Sequence, residues 1–222
     1  MGKDHKPVFF VFPAWTNHLR EIGAAAVVAG LAFVGLVGAV GLAPGTTAVG
    51  YAPEQPVPYS HRLHVGELGL DCRYCHNTVE KAARAAVPPI ATCMNCHATI
   101  KTKSPLLEPL RQAWEADASL PWVRVHDLPD FVYFDHSAHL SAGVSCVSCH
   151  GRVDRMDVVR QVEPLNMAWC LRCHRDPEPN LRPRERITDL AWERNSETDP
   201  VGAELAARYR VATSTDCSTC HR

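Results

Sequence analysis

The cysteines and histidines are the residues whose types and spacing could do chemistry in this chain. All ten cysteines fall in Cys-x-x-Cys pairs, and a histidine directly follows each pair. The pairs are Cys72/Cys75, Cys93/Cys96, Cys146/Cys149, Cys170/Cys173 and Cys217/Cys220, followed by His76, His97, His150, His174 and His221. Two cysteines at this spacing can form thioether bonds to the vinyl groups of one haem, and the next histidine then binds the iron axially. The motifs therefore predict five covalently attached haem c groups.

Zinc and disulfide bonds are the alternatives to haem. The first two pairs are separated by 17 residues and the next two by 20, which fits a zinc ribbon. A zinc ribbon does not need a histidine after every pair, however, and the fifth pair would lack a partner. Disulfides would leave the five histidines unexplained. We therefore favour haem over both.

Five further histidines are candidates for the distal iron ligands, because His5 and His18 precede the apolar segment described below. His61/His64 and His136/His139 form two i, i+3 pairs, and the members of such a pair lie on one helical face. Each pair could serve two neighbouring haems, so we predict all four as distal ligands. The fifth distal ligand is predicted to be His126 or Met156, and a His/Met iron has a higher potential than a bis-His iron. The alternative role for His126 is to bind a propionate or water.

A repeat organises these residues along the chain. Tyr59 and Phe134 each precede a His-x-x-His pair by two residues, and a Cys pair begins 8 or 7 residues after its second histidine. This pattern predicts two diverged dihaem modules, 61–97 and 134–174, followed by a single haem motif at 217–221.

The fold class predicted from these patterns is a mainly α and irregular multihaem cytochrome with little regular sheet. Segments 105–117 and 199–211 have helical patterns, and short helices should carry the ligand motifs. Seventeen prolines argue against long elements elsewhere, and no alternating apolar pattern is sustained. Because so little chain surrounds five cofactors, the porphyrins must form the core, and the haem-free chain should be largely unfolded.

Residues 22–43 form an uncharged apolar run of 22 residues, which is long enough to cross a bilayer as a helix. The run is too long for the core of a cleaved signal peptide, so we predict a single-pass transmembrane anchor. Lys3, Lys6 and Arg20 favour a cytoplasmic segment 1–21. A Pro- and Gly-rich linker, 44–60, would then lead to the haem domain, 61–222, on the periplasmic side of a bacterial cytoplasmic membrane. A net charge of −1 argues against nucleic acid as a partner.

The His-x-x-His pair before Cys-x-x-Cys-His, as in residues 134–150, resembles the multihaem cytochromes of the cytochrome c3/c7 type. The whole chain more specifically resembles the pentahaem, membrane-anchored cytochrome c subunit of alternative complex III. The resemblance lies in the anchor, the five motifs and the segments 125–139, 151–156 and 164–175. It implies that the chain carries electrons from quinol oxidation to a periplasmic acceptor. The implied partners are iron–sulfur and polytopic quinol-binding subunits, and a monohaem cytochrome c or a terminal oxidase.

Two other functions compete with this prediction. A self-contained quinol dehydrogenase would resemble the small tetrahaem anchor proteins, but His76 is followed by Asn-Thr-Val-Glu without the methionine that ligates the first iron in some of them. A catalytic multihaem reductase would need an open iron position or a variant motif. All five motifs end in histidine and distal candidates are sufficient, so we predict electron transfer without catalysis by this chain alone.

The fifth distal ligand gives a first testable prediction. If Met156 binds an iron, replacing it with leucine should lower the midpoint potential of one haem, because a thioether ligand raises the potential. Redox titration of the Met156→Leu variant followed by visible absorption measures this shift. Unchanged potentials for all haems would exclude Met156 as a ligand.

Overall fold

The computed structural model describes residues 11–43, 48–194 and 201–221. The chain divides into two compact units, 1–46 and 47–222. Residues 1–10 and 44–47, which belong to the predicted cytoplasmic segment and linker, lie outside the described residues, as do 195–200 and Arg222.

The described part of the first unit is mainly one helical segment. A 3-10 turn, Ala14–His18, leads into helix α1, Leu19–Gly41, which covers most of the predicted anchor. An 18-residue window within the helical stretch Ala14–Gly41 has a mean hydropathy of 2.3, and none of that window is buried. This helix is long and apolar enough to cross a membrane.

The second unit consists of short helices and turns joined by irregular segments. Its α-helices are α2 (Cys72–Cys75), α3 (Ile90–His97), α4 (Glu108–Glu115), α5 (His136–Ser141), α6 (Val147–His150), α7 (Met167–Arg175), α8 (Val201–Tyr209) and α9 (Cys217–Cys220). Tight turns are a π-turn (Arg62–Glu67) and 3-10 turns at Pro105–Leu107, Val153–Arg155, Glu178–Asn180 and Arg184–Arg186. Helices therefore form within 105–117 and 199–211, where the sequence predicts them.

Side-chain caps determine where several motif helices begin. The carboxylate of Asp71 accepts a hydrogen bond from the backbone N–H of Arg73 (2.8 Å) at the start of α2. Asp135 caps α5 through the N–H of Ala138 (3.3 Å), and Asn166 caps α7 through the N–H of Trp169 (2.9 Å). These residues satisfy backbone donors that a first helical turn leaves free. A helix can thus begin directly before a Cys-x-x-Cys or His-x-x-His motif.

The two His-x-x-His pairs have different backbones. His136 and His139 lie on the α-helix α5, whereas His61 directly precedes the π-turn that contains His64. The first module has one residue more between its second histidine and its Cys pair. A π-turn widens the helical ring by one residue. The wider turn therefore accommodates the longer spacing while both histidines remain on one side.

Regular sheet is absent from the described residues. The one β-type pairing there is an isolated antiparallel bridge between Val144 and Leu181. The predicted fold class, mainly α and irregular with an apolar N-terminal helix, is confirmed.

The apolar core of the second unit is small for its length. The buried apolar residues among those described are Val57, Val79, Leu110, Leu140, Met156, Leu181, Ile187, Leu190 and Leu205. Val79, Leu140 and Ile187 form a cluster against which Cys146 packs. Many large apolar side chains are exposed instead, including Val87, Trp114 and Phe131. These few buried side chains are not enough to stabilise a unit of this size. The protein therefore requires another apolar group in its interior.

The described part of the predicted linker contacts the second unit. The N–H of Gly50 donates to the carbonyl of Gln161 (2.8 Å), and the Gln161 N–H donates to that of Tyr51 (3.0 Å). The amide of Gln55 bonds both the carbonyl and the N–H of Val123 (2.8 and 2.9 Å). Residues 50–55 are therefore attached to the unit that carries the motifs.

Gly143 provides a stability prediction for this fold. Its φ is +91°, and an added Cβ would lie 2.9 Å from the Arg182 carbonyl oxygen and 3.0 Å from the Tyr209 ring. We expect Gly143→Ala to lower the free energy of unfolding by about 2–4 kcal/mol, from backbone strain and overlap together. The matched control is Gly69→Ala, where φ is +69° with open space around the Cβ, and the expected loss is about 1–2 kcal/mol. Thermal unfolding of the purified protein measures both, and equal losses would show that the Arg182 contact is unimportant.

Candidate haem-binding sites

Three pairs of histidines face each other across a gap of constant width. The ring centroids are 6.2 Å apart for His64 and His97, 6.4 Å for His136 and His150, and 6.1 Å for His139 and His174. A metal–imidazole bond is about 2 Å long and its nitrogen lies roughly 1 Å from the ring centre, so two rings on opposite sides of one metal have centroids about 6 Å apart. All three pairs fit that separation. Each joins a predicted distal ligand to a predicted proximal ligand.

The three pairs follow one rule within the repeat. With the motifs numbered 1 to 5 in chain order, the second histidine of each His-x-x-His pair faces the second motif of its own module. The first histidine of the second pair, His136, faces motif 3. By the same rule His61 belongs opposite His76 of motif 1, and these two rings are close enough to interact electrostatically.

Hydrogen bonds orient most of these imidazoles. Seven of them place Nδ1 against a backbone carbonyl oxygen at 2.7–3.2 Å. The contacts are His64–Ser60, His76–Ala86, His97–Ile100, His136–Ala83, His139–Asp135, His174–Ser214 and His221–Phe131. A carbonyl oxygen can only accept, so the proton must reside on Nδ1. The lone pair is therefore on Nε2, where an iron can bind it.

Burial keeps the central imidazoles neutral. Desolvation lowers the pKa of His61 to about 4, with the neighbouring His76 adding to the effect. Burial likewise lowers the pKa of His150 to about 3, because an imidazolium there would lose its water and face His126 and His136. Neutral imidazole is the form that binds a metal, so these sites suit ligation at neutral pH.

An aromatic ring lies between the two distal histidines of each module. Tyr59 is 4.7 Å from the His61 ring, edge to face, and 4.4 Å from the His64 ring, stacked. Phe134 has the equivalent distances of 4.7 Å to His136 and 4.5 Å to His139. The sequence repeat showed an aromatic residue at this position but gave it no role. It holds the two imidazoles apart and orients each toward its own motif.

The cysteine arrangement does not favour zinc. In the described ranges 11–43, 48–194 and 201–221, no group of three or more His, Cys, Asp or Glu side chains is placed to hold a metal ion. None of the ten cysteines forms a disulfide bond. Two Cys pairs arranged around one zinc would form such a group. The thiols are instead distributed as pairs beside single histidines, as thioether attachment requires.

The fifth motif has a different environment. The ring of His221 lies 5.8 Å from Phe131, whose carbonyl accepts from its Nδ1 (3.2 Å). His126 lies 4.3 Å from His150, edge to face, and its Nε2 is buried without a hydrogen bond. Met156 is 5% exposed and its carbonyl accepts from the N–H of Arg62 (3.0 Å). Met156 thus belongs to the core, and the choice between it and His126 as the fifth distal ligand stays a prediction.

Arg182 is a polar residue near motif 3 for which the sequence gave little signal. It lines a cavity of about 260 Å³ together with Ser148 of the motif, Trp192 and Arg194. Its guanidinium lies 5.0 Å from the Trp192 ring, and its Nε is buried without a hydrogen-bond partner. Arg184, by contrast, donates to the carbonyl of Ser141, and Arg186 pairs with Asp189 (3.1 Å). Nη1 of Arg182 donates to the carbonyl of Asp189 (3.0 Å), so its Nε is the buried donor that could pair with a carboxylate such as a haem propionate.

Comparisons with known proteins support this interpretation. Residues 132–222 match the family described as cytochrome c7 and related cytochrome c. Over 100 residues the chain is 34% identical to the menaquinone reductase, multiheme cytochrome c subunit, of Nitratidesulfovibrio vulgaris (strain Hildenborough). That alignment covers 44% of this chain and 46% of the relative, so the chain spans less than half the length of the relative it matches. The family match and the facing histidines together support a multihaem cytochrome c.

The facing pairs predict how distal substitutions change ligand binding. In the His139→Ala variant, the iron opposite His174 should lose its sixth ligand and become accessible. We expect the reduced variant to bind about one carbon monoxide per chain more than the unmodified protein, by analogy with other five-coordinate haems. Absorption spectroscopy during carbon monoxide titration measures the stoichiometry.

The matched control is Ser137→Ala, a substitution on the same turn of α5 between the two histidines. This variant should bind no more carbon monoxide than the unmodified protein. The same result for His139→Ala would contradict the assignment of His139 as a ligand.

Proposed function

We propose that this chain is a membrane-anchored pentahaem c-type cytochrome that transfers electrons within a larger quinone-linked respiratory complex. The observation that carries the proposal is the set of histidine rings facing each other at 6.1–6.4 Å beside Cys-x-x-Cys pairs. Each bound haem would supply a one-electron redox centre. The chain's own residues attach, orient and bury these centres.

The ligand set favours electron transfer over catalysis. A histidine on each side of an iron leaves no position for a substrate, so a change of oxidation state alters little except charge. The carbonyl bonds to Nδ1 hold each imidazole in place and make it a stronger donor. Arg182 beside motif 3 would pair with a propionate and offset its negative charge. We therefore propose no catalytic residue in this chain.

Helix α1 supports the anchoring part of the proposal. From Ile22 onward its side chains are apolar and exposed, and a lipid environment would cover them. Arg20 and the basic residues before it favour the cytoplasmic side for the N-terminus. The motif-bearing unit would then face the periplasm, where it can meet periplasmic electron carriers.

The resemblance to alternative complex III supports quinol as the electron source. In this arrangement polytopic subunits bind the quinol, and an iron–sulfur subunit and this chain carry the electrons onward. A monohaem cytochrome c or a terminal oxidase would receive them. A self-contained quinol dehydrogenase is the alternative without those partners.

The relative named as a menaquinone reductase subunit favours a second candidate, in which electrons flow in the opposite direction. There this chain would receive electrons from a periplasmic donor and pass them toward menaquinone. The same arrangement of cysteines and histidines serves either direction, because electron transfer through saturated haem iron is reversible.

An affinity-tagged chain purified in mild detergent from membranes of the source organism tests these proposals. The intact mass should exceed the polypeptide mass by five haems, and polytopic and iron–sulfur chains should elute with it. The matched variant Cys217→Ala/Cys220→Ala should carry one haem fewer. A chain without haem would contradict the cytochrome proposal, and a chain that elutes alone would contradict the larger complex.

The same preparation distinguishes the two directions. If quinol is the donor, a reduced menaquinone analogue should reduce the haems of the oxidised complex after mixing. If menaquinone is the acceptor, chemically reduced haems should be oxidised by the quinone, and the quinol should leave oxidised haems unchanged. Stopped-flow absorption follows both reactions.

A further inference from the structure

Motifs 1 and 2 are in direct contact. The side-chain amide of Asn95, inside motif 2, donates to the hydroxyl of Tyr74, inside motif 1 (3.0 Å). Tyr59 contacts the distal histidines assigned to both motifs. Cys75 of motif 1 and Cys93 of motif 2 are also close enough to interact electrostatically. The two sites of the first module are therefore neighbours.

Motif 1 also contacts motif 3, which belongs to the other module. The Cys72 and Cys146 thiols lie within hydrogen-bonding distance of each other. Nδ1 of His136, opposite motif 3, bonds the carbonyl of Ala83 in the segment that follows motif 1 (2.8 Å). The hydroxyl of Thr188 donates to Asp71, the residue before Cys72 (2.9 Å). The junction between the modules is thus made by their first motifs.

Motifs 3 and 4 are joined as motifs 1 and 2 are. Phe134 contacts His136 and His139, the histidines that face them. Cys149 of motif 3 is also close enough to Cys173 and Cys170 of motif 4 to interact with them electrostatically. The attachment sites of motifs 3 and 4 are therefore neighbours.

Motif 4 contacts motif 5 through the segment that precedes the last Cys pair. Nδ1 of His174 donates to the carbonyl of Ser214 (2.9 Å). The hydroxyl of Ser214 in turn bonds the N–H of Asp216 and the hydroxyl of Thr219, within the turn that carries Cys217 and Cys220 (3.1 and 3.0 Å). One residue thus orients the proximal ligand of motif 4 and shapes motif 5.

Exposure distinguishes motifs 2 and 5 from the others. Of the ten cysteines, Cys96 and Cys217 are exposed, and the other eight are partly buried. These two belong to motifs 2 and 5, which stand at the two ends of the series of contacts. Exposure and contacts are separate observations, and they select the same two motifs.

We propose that the five haem attachment sites form one unbranched row in the order 2–1–3–4–5, with motifs 2 and 5 as its two solvent-accessible ends. This order differs from the order of the motifs along the chain, because the row crosses between modules at motifs 1 and 3. It rests on the proposed function in that the sites must carry haem. Electron-exchange partners would then meet the protein beside Cys96 at one end and beside Cys217 at the other.

The first test labels individual sites of the full-length, haem-loaded protein. Replacing a distal histidine with methionine should raise the potential of that site and give it a distinct absorption signature. Variants His61→Met, His64→Met, His136→Met and His139→Met label sites 1 to 4, and double variants label pairs. Neighbouring haems repel when both are oxidised, so each affects the midpoint of the other.

Redox titration should show mutual shifts for the labelled pairs 1/2, 1/3 and 3/4, and much smaller shifts for 2/3, 2/4 and 1/4. A shift for 2/4 as large as that for 1/3 would overturn the order. The control is a variant that combines one His→Met label with Ser137→Ala in place of the second label. It measures the shift caused by perturbation of the surrounding structure alone.

The second test requires no substitution and includes site 5. Iron positions from an experimental structure of the haem-loaded protein should place 1–2, 1–3, 3–4 and 4–5 as the four shortest iron–iron separations. A shorter separation between site 5 and site 1, 2 or 3 than between sites 4 and 5 would overturn the row. Fewer than five irons would contradict the pentahaem proposal itself, whereas five irons in another order would contradict this inference alone.

Discussion

The structure of the second unit depends on one kind of hydrogen bond, in which a histidine Nδ1 donates to a backbone carbonyl. Seven of the predicted axial histidines make this contact at 2.7–3.2 Å. Because a carbonyl cannot donate, the bond fixes the tautomer and directs Nε2 away from the backbone. The acceptors belong to turns and irregular segments, so those segments must follow defined paths although they lack regular secondary structure. These hydrogen bonds explain how the second unit can adopt one defined structure although its described residues contain no regular sheet.

A cofactor-filled interior explains the distribution of apolar residues. The core cluster of Val79, Leu140 and Ile187 stands at the junction of the modules, where Cys146 packs against it. Of the ten cysteines at the predicted attachment sites, eight are only partly buried and two are exposed. Packing between side chains of this chain therefore stabilises the junction of the modules. The stability of each predicted haem site depends instead on the group bound there.

The two modules have the same arrangement of aromatic ring and histidines although their local backbones differ. The first His-x-x-His pair lies on a π-turn and the second on an α-helix, yet the aromatic ring before each pair lies 4.4–4.7 Å from both of its histidines. The one-residue difference in spacing is accommodated by the wider turn. Contacts between the first motifs of the two modules then join the duplicated units into one structure.

The sequence by itself predicted the fold class and the apolar helix, and it identified the candidate attachment residues and the proximal and four distal ligand candidates, because each depends on residue type and short spacing. Tertiary structure decided which histidine faces which motif, since that depends on how segments far apart in sequence pack. Long-range packing also decided that Arg182 lines a cavity with Ser148 of motif 3, that Met156 lies in the core and that His126 lies beside His150. Spacing along a chain specifies a local motif, but it carries no information about which distant carbonyl or ring will lie opposite.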